Sequence, residues 1–105
     1  MTPVILIAED DADIRDLLRL YLEGEGFRVL EADDGGKALE LARAHSPDMA
    51  ILDIMMPGLN GFELTRALRQ YSQLPILILS AKSQDNDKIL GLNLGADDYI
   101  AKPFN

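Results

Sequence analysis

Three short apolar runs constrain the fold of this chain more than any other feature of its sequence. They lie at residues 4–8, 49–52 and 76–79 and are rich in leucine and isoleucine. Runs of this length are too short for helices, and a run without polar alternation is typical of a strand buried on both faces, as in a parallel sheet. Weaker runs at 27–30 and 99–101 predict two further strands nearer the sheet edges.

Amphipathic stretches separate these runs and predict four helices, because their apolar residues recur every three or four positions. The predicted helices cover residues 11 to 24 or 26, 34 to about 44, 64–71 and about 84–94. The acidic cluster of Asp11 and Asp13 suits the start of the first helix, and Asp34 can cap the second. The alternation of strands with helices predicts a doubly wound parallel α/β sheet.

Composition predicts one small domain and excludes several classes of function. The chain has 105 residues, no cysteine, and 18 acidic against 10 basic side chains, which gives a net charge of −8. The absence of cysteine excludes disulfide frameworks and thiol nucleophiles. The acidic surface argues against direct binding of nucleic acid or of anionic membranes. Because the sequence also shows no membrane-spanning run and no secretion signal, we expect a soluble, cytoplasmic domain.

Charged and hydroxyl side chains follow the predicted strands at their carboxyl ends. Glu9 and Asp10 follow the first strand, and Asp53, Ser80 and Lys102 follow the third, fourth and fifth. In an open parallel sheet these ends lie at one edge, where function gathers. Clustered carboxylates suit Mg²⁺, a carboxylate can also accept a phosphoryl group, and a lysine with a hydroxyl can bind phosphoryl oxygens. The set therefore favours phosphoryl transfer.

Taken singly, each of these residues has an ordinary structural interpretation. Glu9 and Asp10 can start a helix, Asp53 can form a turn, Ser80 can cap a helix and Lys102 can lie on the surface. Their common placement at neighbouring strand ends is what favours a functional site.

Four segments resemble the receiver domain of two-component response regulators. They are residues 5–11, 53–61, 79–82 and 95–104, which occur in the order typical of that family and span the whole chain. The last segment is most similar to the subfamily whose receivers precede a winged-helix DNA-binding domain. The resemblance implies a flavodoxin-like five-stranded sheet of order 2-1-3-4-5, with residues 1–105 forming one receiver domain that lacks its final helix.

The same resemblance implies a phosphorylation site with a metal ion. Asp53 is expected to accept the phosphoryl group from a sensor histidine kinase. Mg²⁺ is expected to be held by Glu9, Asp10, Asp53 and the backbone carbonyl of Met55. The expected activity is limited to the domain's own phosphorylation and dephosphorylation, and the expected output is transcription, controlled through a DNA-binding domain outside this chain.

Other positions match parts of the family's switch. Ser80 is expected to bind a phosphoryl oxygen and to move on activation, with Tyr99 turning inward as it moves. Lys102 is expected to pair with the phosphate, and the peptide bond between Lys102 and Pro103 is expected to be cis, which an X-Pro bond tolerates at low cost.

Two surfaces are expected to support a homodimer. The first belongs, by resemblance, to the fourth helix and fifth strand and comprises Lys88, Ile89, Leu92, Asp97 and Asp98. The second is the part of the sheet that a fifth helix covers in this family, because an uncovered apolar face favours association with another copy.

Two other functions remain as alternatives. The first is an aspartyl-nucleophile phosphatase, which needs a second aspartate two residues after the nucleophile, where this chain has Met55. The second is a stand-alone protein-interaction module, dependent on phosphorylation or independent of it. Loss of the acidic pair or of Lys102 would favour an independent module, and both are present.

Overall fold

The computed structural model describes residues 2–80 and 98–101. Strands and helices alternate through the first 80 residues, as the apolar runs predict. The elements are β1 Val4–Ala8, α1 Ala12–Gly24, β2 Arg28–Ala32, α2 Gly35–His45, β3 Met49–Asp53, α3 Gly61–Arg69, β4 Ile76–Ser80 and β5 Asp98–Ala101.

The five strands form one parallel sheet of order β2-β1-β3-β4-β5, which confirms the flavodoxin-like prediction. The central strands pair in a register that brings their carboxyl ends close together. Ala8 of β1 is opposite Leu52 of β3, and Asp53 is opposite Leu79 of β4. Glu9, which follows β1, and Asp53, which ends β3, therefore lie side by side at the carboxyl edge of the sheet.

Side-chain caps start each of the three helices in the described part of the chain. Asp11 accepts hydrogen bonds from the backbone N–H groups at 13 and 14, and Asp34 accepts one from Lys37 at 2.8 Å. At the start of α3, Asn60 and Glu63 form a reciprocal capping box. These bonds satisfy N–H groups that have no partner within the helix, so the predicted starts of α1 and α2 are confirmed.

Two elements have bounds that differ from the predicted ones by more than one residue. The second strand covers 28–32 instead of 27–30, because Glu31 and Ala32 pair with Ile7 and Ala8 of β1. The third helix covers Gly61–Arg69 instead of 64–71, so it begins three residues earlier, and Tyr71 lies beyond its end and is exposed. The predicted fourth helix lies outside the described residues.

Each face of the sheet has its own apolar cluster. One cluster combines alternate strand residues such as Leu6, Leu52 and Ile78 with residues of α2 and α3. The other combines Ile5, Ile51 and Leu79 with half-buried residues that include Leu18 and Leu22 of α1. A right-handed connection places each helix on one face or the other, which leaves the carboxyl edge open.

Candidate phosphorylation and metal site

An acidic cluster lies where β1 and β3 end. It comprises Glu9, Asp10 and Asp53, and one carboxylate oxygen from each lies within 4.8 Å of the others. Glu9 is 0% exposed and Asp53 is 2% exposed, whereas Asp10 is exposed to solvent. The structure therefore brings together the three carboxylates that the strand ends predict.

The backbone fixes the position of these carboxylates. The Glu9 N–H donates to the Ala32 carbonyl at 3.0 Å, which extends the pairing of β1 with β2 by one residue. The Asp11 N–H donates to Oε2 of Glu9 at 3.2 Å. Asp53 is the last residue of β3, and the following Ile54 N–H donates to the Leu79 carbonyl at 3.0 Å. Both buried acids thus belong to continuous sheet pairing.

The loop after β3 forms one side of an open cleft beside this cluster. The cleft has a volume of about 460 Å³ and is lined by Asp10 together with Ile54, Met55, Met56, Pro57, Gly58 and Asn60. Ile54 and Met56 are buried, while Met55 between them is 68% exposed. This alternation anchors the loop on both sides of Met55, which lines the same cleft as Asp10.

The donor set suits a hard divalent cation. Three carboxylates supply oxygen ligands, and the exposed Asp10 leaves an open side for water and for a phosphate oxygen. Mg²⁺ is commonly bound in this way, by few carboxylates together with waters and substrate oxygens. A cation also offsets the repulsion between carboxylates that are this close.

The remaining predicted site residues lie partly or wholly outside the description. The backbone of Ser80 ends β4 and that of Tyr99 lies in β5, opposite Ile78, but neither side chain is described. Asp98 is the first residue of β5, and its side chain is likewise not described. Lys88, Ile89, Leu92, Asp97, Lys102 and Pro103 are outside the described residues.

Two residues that the sequence interpretation assigned no role are close to the cluster. Gly61 packs against the backbone of Asp53, so that a Cβ atom there would lie 2.9 Å from the carbonyl carbon of Asp53. Arg15 donates from Nη1 to the carbonyl oxygen of Glu9 at 2.9 Å. Gly61 stands in a segment that resembles the family, which is a signal for its importance. Nothing in the sequence marks Arg15.

The family model for the response regulator receiver domain matches residues 5–105. The chain belongs to the response regulator receiver family. It is 55% identical over 105 residues to response regulator GtcR of Aneurinibacillus migulanus, covering all of this chain and 43% of GtcR. It is 47% identical over 100 residues to the DNA-binding response regulator MtrA of Mycobacterium tuberculosis, covering 95% of this chain and 44% of MtrA. The chain thus spans less than half the length of these relatives.

Solved receiver structures have the same fold. The receiver domain of the Francisella response regulator 1452 superimposes with a TM-score of 0.94 at 39% identity, covering 99% of this chain and 87% of that one. None of the helices in the described part of this receiver is long and apolar enough to cross a membrane.

Proposed function

We propose that this receiver is a phosphorylation switch in which Asp53 accepts a phosphoryl group from a phosphohistidine of a sensor histidine kinase. The observation that carries the proposal is the position of Asp53, buried at the end of a central strand and within 4.8 Å of two other carboxylates. A carboxylate oxygen of Asp53 attacks phosphorus, the bond from phosphorus to the histidine nitrogen breaks, and an aspartyl phosphate forms.

Mg²⁺ is the proposed cofactor, held by Glu9, Asp10, Asp53 and the carbonyl of Met55. When bound, it would neutralise charge on the phosphoryl oxygens and on the acidic cluster. The support for this assignment is the oxygen donor set, together with the position of Met55 in the cleft that Asp10 also lines.

The switch residues keep the roles that the family resemblance implies. Ser80 would donate a hydrogen bond to a phosphoryl oxygen, and Tyr99 would turn inward as Ser80 moves. Lys102 would pair with the phosphate, positioned by a cis peptide bond to Pro103. Support comes from the sheet, in which β4 and β5 follow β3 in order, so that their carboxyl ends approach Asp53.

The proposed output is transcription, controlled through a DNA-binding domain outside this chain. Its support is the relatives, which include a DNA-binding response regulator and which this chain matches over less than half of their length. Activation would act through a homodimer surface that comprises Lys88, Ile89, Leu92, Asp97 and Asp98.

The sheet face that a fifth helix covers in this family remains the second proposed homodimer surface, and α1 carries a third. Leu17, Leu20 and Tyr21 are three and four residues apart, so they form one stripe, and each is more than half exposed. An exposed apolar stripe of this kind favours contact with a second copy. Sedimentation at increasing concentration tests this contact, because replacing Leu17 and Tyr21 with glutamine and serine should shift the population towards monomer. An unchanged distribution would contradict it.

The intact mass after incubation with Mg²⁺ and acetyl phosphate tests the proposed phosphorylation. The wild-type chain should gain one phosphoryl group, and Asp53→Asn should abolish the gain because an amide is a poor nucleophile. Asp33→Asn is the matched control, since Asp33 also follows a strand but pairs with Lys37 at the sheet edge. Labelling of Asp53→Asn to the wild-type level would contradict the assignment.

The same experiment separates the switch from a phosphatase and from an interaction module that is independent of phosphorylation. A phosphatase would hydrolyse its aspartyl phosphate rapidly and retain little added mass, whereas the switch would hold its phosphoryl group long enough for the added mass to accumulate. The exposed Met55 side chain, two residues after Asp53, offers no proton for a leaving group, which argues against the phosphatase. A protein-interaction module independent of phosphorylation would gain no mass at all.

A further inference from the structure

The guanidinium of Arg15 connects α1 with the ends of two strands. Arg15 is the fourth residue of α1, and its Nη1 reaches back to donate to the Glu9 carbonyl oxygen at 2.9 Å. Its Nε lies 3.4 Å from Oε1 of Glu31 on β2, and one fifth of the side chain is exposed. One planar group therefore holds the residue after β1 and a residue of the neighbouring strand.

The held carbonyl belongs to the peptide that joins Glu9 to Asp10. Glu9 and Asp10 carry the two carboxylates that follow β1 in the proposed metal site. Fixing this peptide limits the directions in which both side chains can leave the backbone. The Asp11 N–H, which donates to the Glu9 carboxylate, holds the same turn from its other end. Groups behind the direct ligands commonly orient them in this way.

We propose that Arg15 is a positioning residue for the Mg²⁺ site, holding the peptide between Glu9 and Asp10 in the geometry that binds the ion. The inference rests on the proposed function, in which these carboxylates bind Mg²⁺. The fork geometry matters as much as the charge, because a guanidinium can bind two acceptors in fixed directions and a lysine ammonium cannot.

Charge and geometry predict opposite effects of removing Arg15. If Arg15 acted only as a nearby positive charge, its loss would strengthen Mg²⁺ binding, because one cation would no longer repel another. If it positions the turn, its loss weakens binding despite the more negative surroundings. The sign of the change in affinity therefore distinguishes the two roles.

Arg19 provides a matched control one turn further along α1. Its Nε lies 3.6 Å from Oε2 of the same Glu31, but the contacts found for its guanidinium are carboxylates and do not include the turn at Glu9. Desolvation alone would lower the pKa of Arg19, but the hydrogen bond to Glu23 and the carboxylates of Glu31 and Asp16 raise it overall. Arg19 is thus well paired, and comparison with Arg15 isolates the contact with Glu9.

Isothermal titration calorimetry tests the proposal by measuring the affinity for Mg²⁺ of four proteins: wild type, Arg15→Lys, Arg15→Ala and Arg19→Lys. Both Arg15 variants should bind Mg²⁺ about tenfold more weakly, the lower end of what losing an outer-shell partner costs. Arg19→Lys should bind like wild type. Thermal melts in a chelator show whether each variant is folded before metal is added.

Each result decides between the roles. Unchanged or tighter binding by folded Arg15→Lys overturns the proposal, and so does equal weakening by Arg19→Lys. If the Arg15 variants do not fold, Glu31→Gln replaces them: it leaves Arg15 in place but weakens its second anchor, and wild-type affinity there overturns the proposal. A wild-type chain that binds no Mg²⁺ instead overturns the proposed metal site itself, which is a different failure.

Discussion

The two faces of the sheet are built in different ways. On the face under α2 and α3, both helices contribute fully buried residues, among them Ala38, Ala42, Leu64 and Leu68. On the other face, α1 has no buried residue, and Leu18 and Leu22 cover the strands while half-buried. Among the described residues, close packing is therefore concentrated under α2 and α3, whereas α1 packs on the sheet through fewer buried residues.

The two arrangements also serve different purposes near the acidic cluster. The α3 helix begins against the backbone of Asp53, where the small Gly61 allows close approach. The α1 helix instead reaches the cluster through the long side chain of Arg15. A rigid packed contact thus supports the proposed phosphorylation site, and a polar contact supports the turn with the other two acids.

Truncating one leucine on each face should give the largest contrast. Leu68→Ala on α3 removes a side chain that is 0% exposed and should lower the free energy of unfolding by about 3–4 kcal/mol. Leu22→Ala on α1 removes a half-buried side chain and should cost about 1–2 kcal/mol, because less surface is removed from water. Urea denaturation of both variants measures the difference. Equal losses would show that the two faces contribute alike.

Adding one methyl group at a glycine on each face should give the next largest contrast. In Gly61→Ala the new Cβ would lie 2.9 Å from the Asp53 carbonyl carbon and from the Ile54 Cα. Backbone must shift to relieve this, so the variant should lose about 2 kcal/mol of stability. Its labelling by acetyl phosphate should also slow, because the shift moves Asp53.

Gly24→Ala, at the end of α1, is the matched control for Gly61→Ala. A Cβ at Gly24 would meet nothing within 4 Å, so the higher helix propensity of alanine should raise stability by roughly 0.5–1 kcal/mol. If Gly61→Ala were as well tolerated as Gly24→Ala in melting and labelling, the proposed support of Asp53 by α3 would be wrong.

Substitutions just after α1 and α2 should change the free energy of unfolding by a smaller amount, about 1 kcal/mol. Gly26, after α1, has φ of 93°, and Ser46, after α2, has φ of 46°, so both adopt the left-handed conformation that favours glycine. Ser46→Gly should therefore stabilise the protein, and Gly26→Ala should destabilise it by a similar amount. Thermal melts of the two single variants check the opposite signs.

The smallest effect is expected on the outer side of α1. Leu17 is 53% exposed, so Leu17→Gln should change the free energy of unfolding by no more than about 0.5 kcal/mol. Urea denaturation at low protein concentration, where association is weakest, measures this change. A loss comparable with that of Leu22→Ala would show that α1 buries more of its surface than the structure describes.

Local signals in the sequence were sufficient for much of the fold. The unbroken apolar run of β1 predicted its bounds, and acidic caps predicted the starts of α1 and α2, because these features depend on neighbours in sequence. The second strand was placed wrongly because Glu31, a polar residue, is paired within it. An edge strand tolerates such a residue, so its apolar signal is weak.

The acidic site, like the fold, is predictable from the sequence only in part. The sequence alone determined that Glu9, Asp10 and Asp53 meet, since each follows a strand and parallel strands end at one edge. Only the tertiary structure decided that Gly61 must be small and that Arg15 holds the Glu9 carbonyl while paired with Glu31. Those contacts depend on the distance and angle at which each helix packs on the sheet, and no local pattern of residues specifies that geometry.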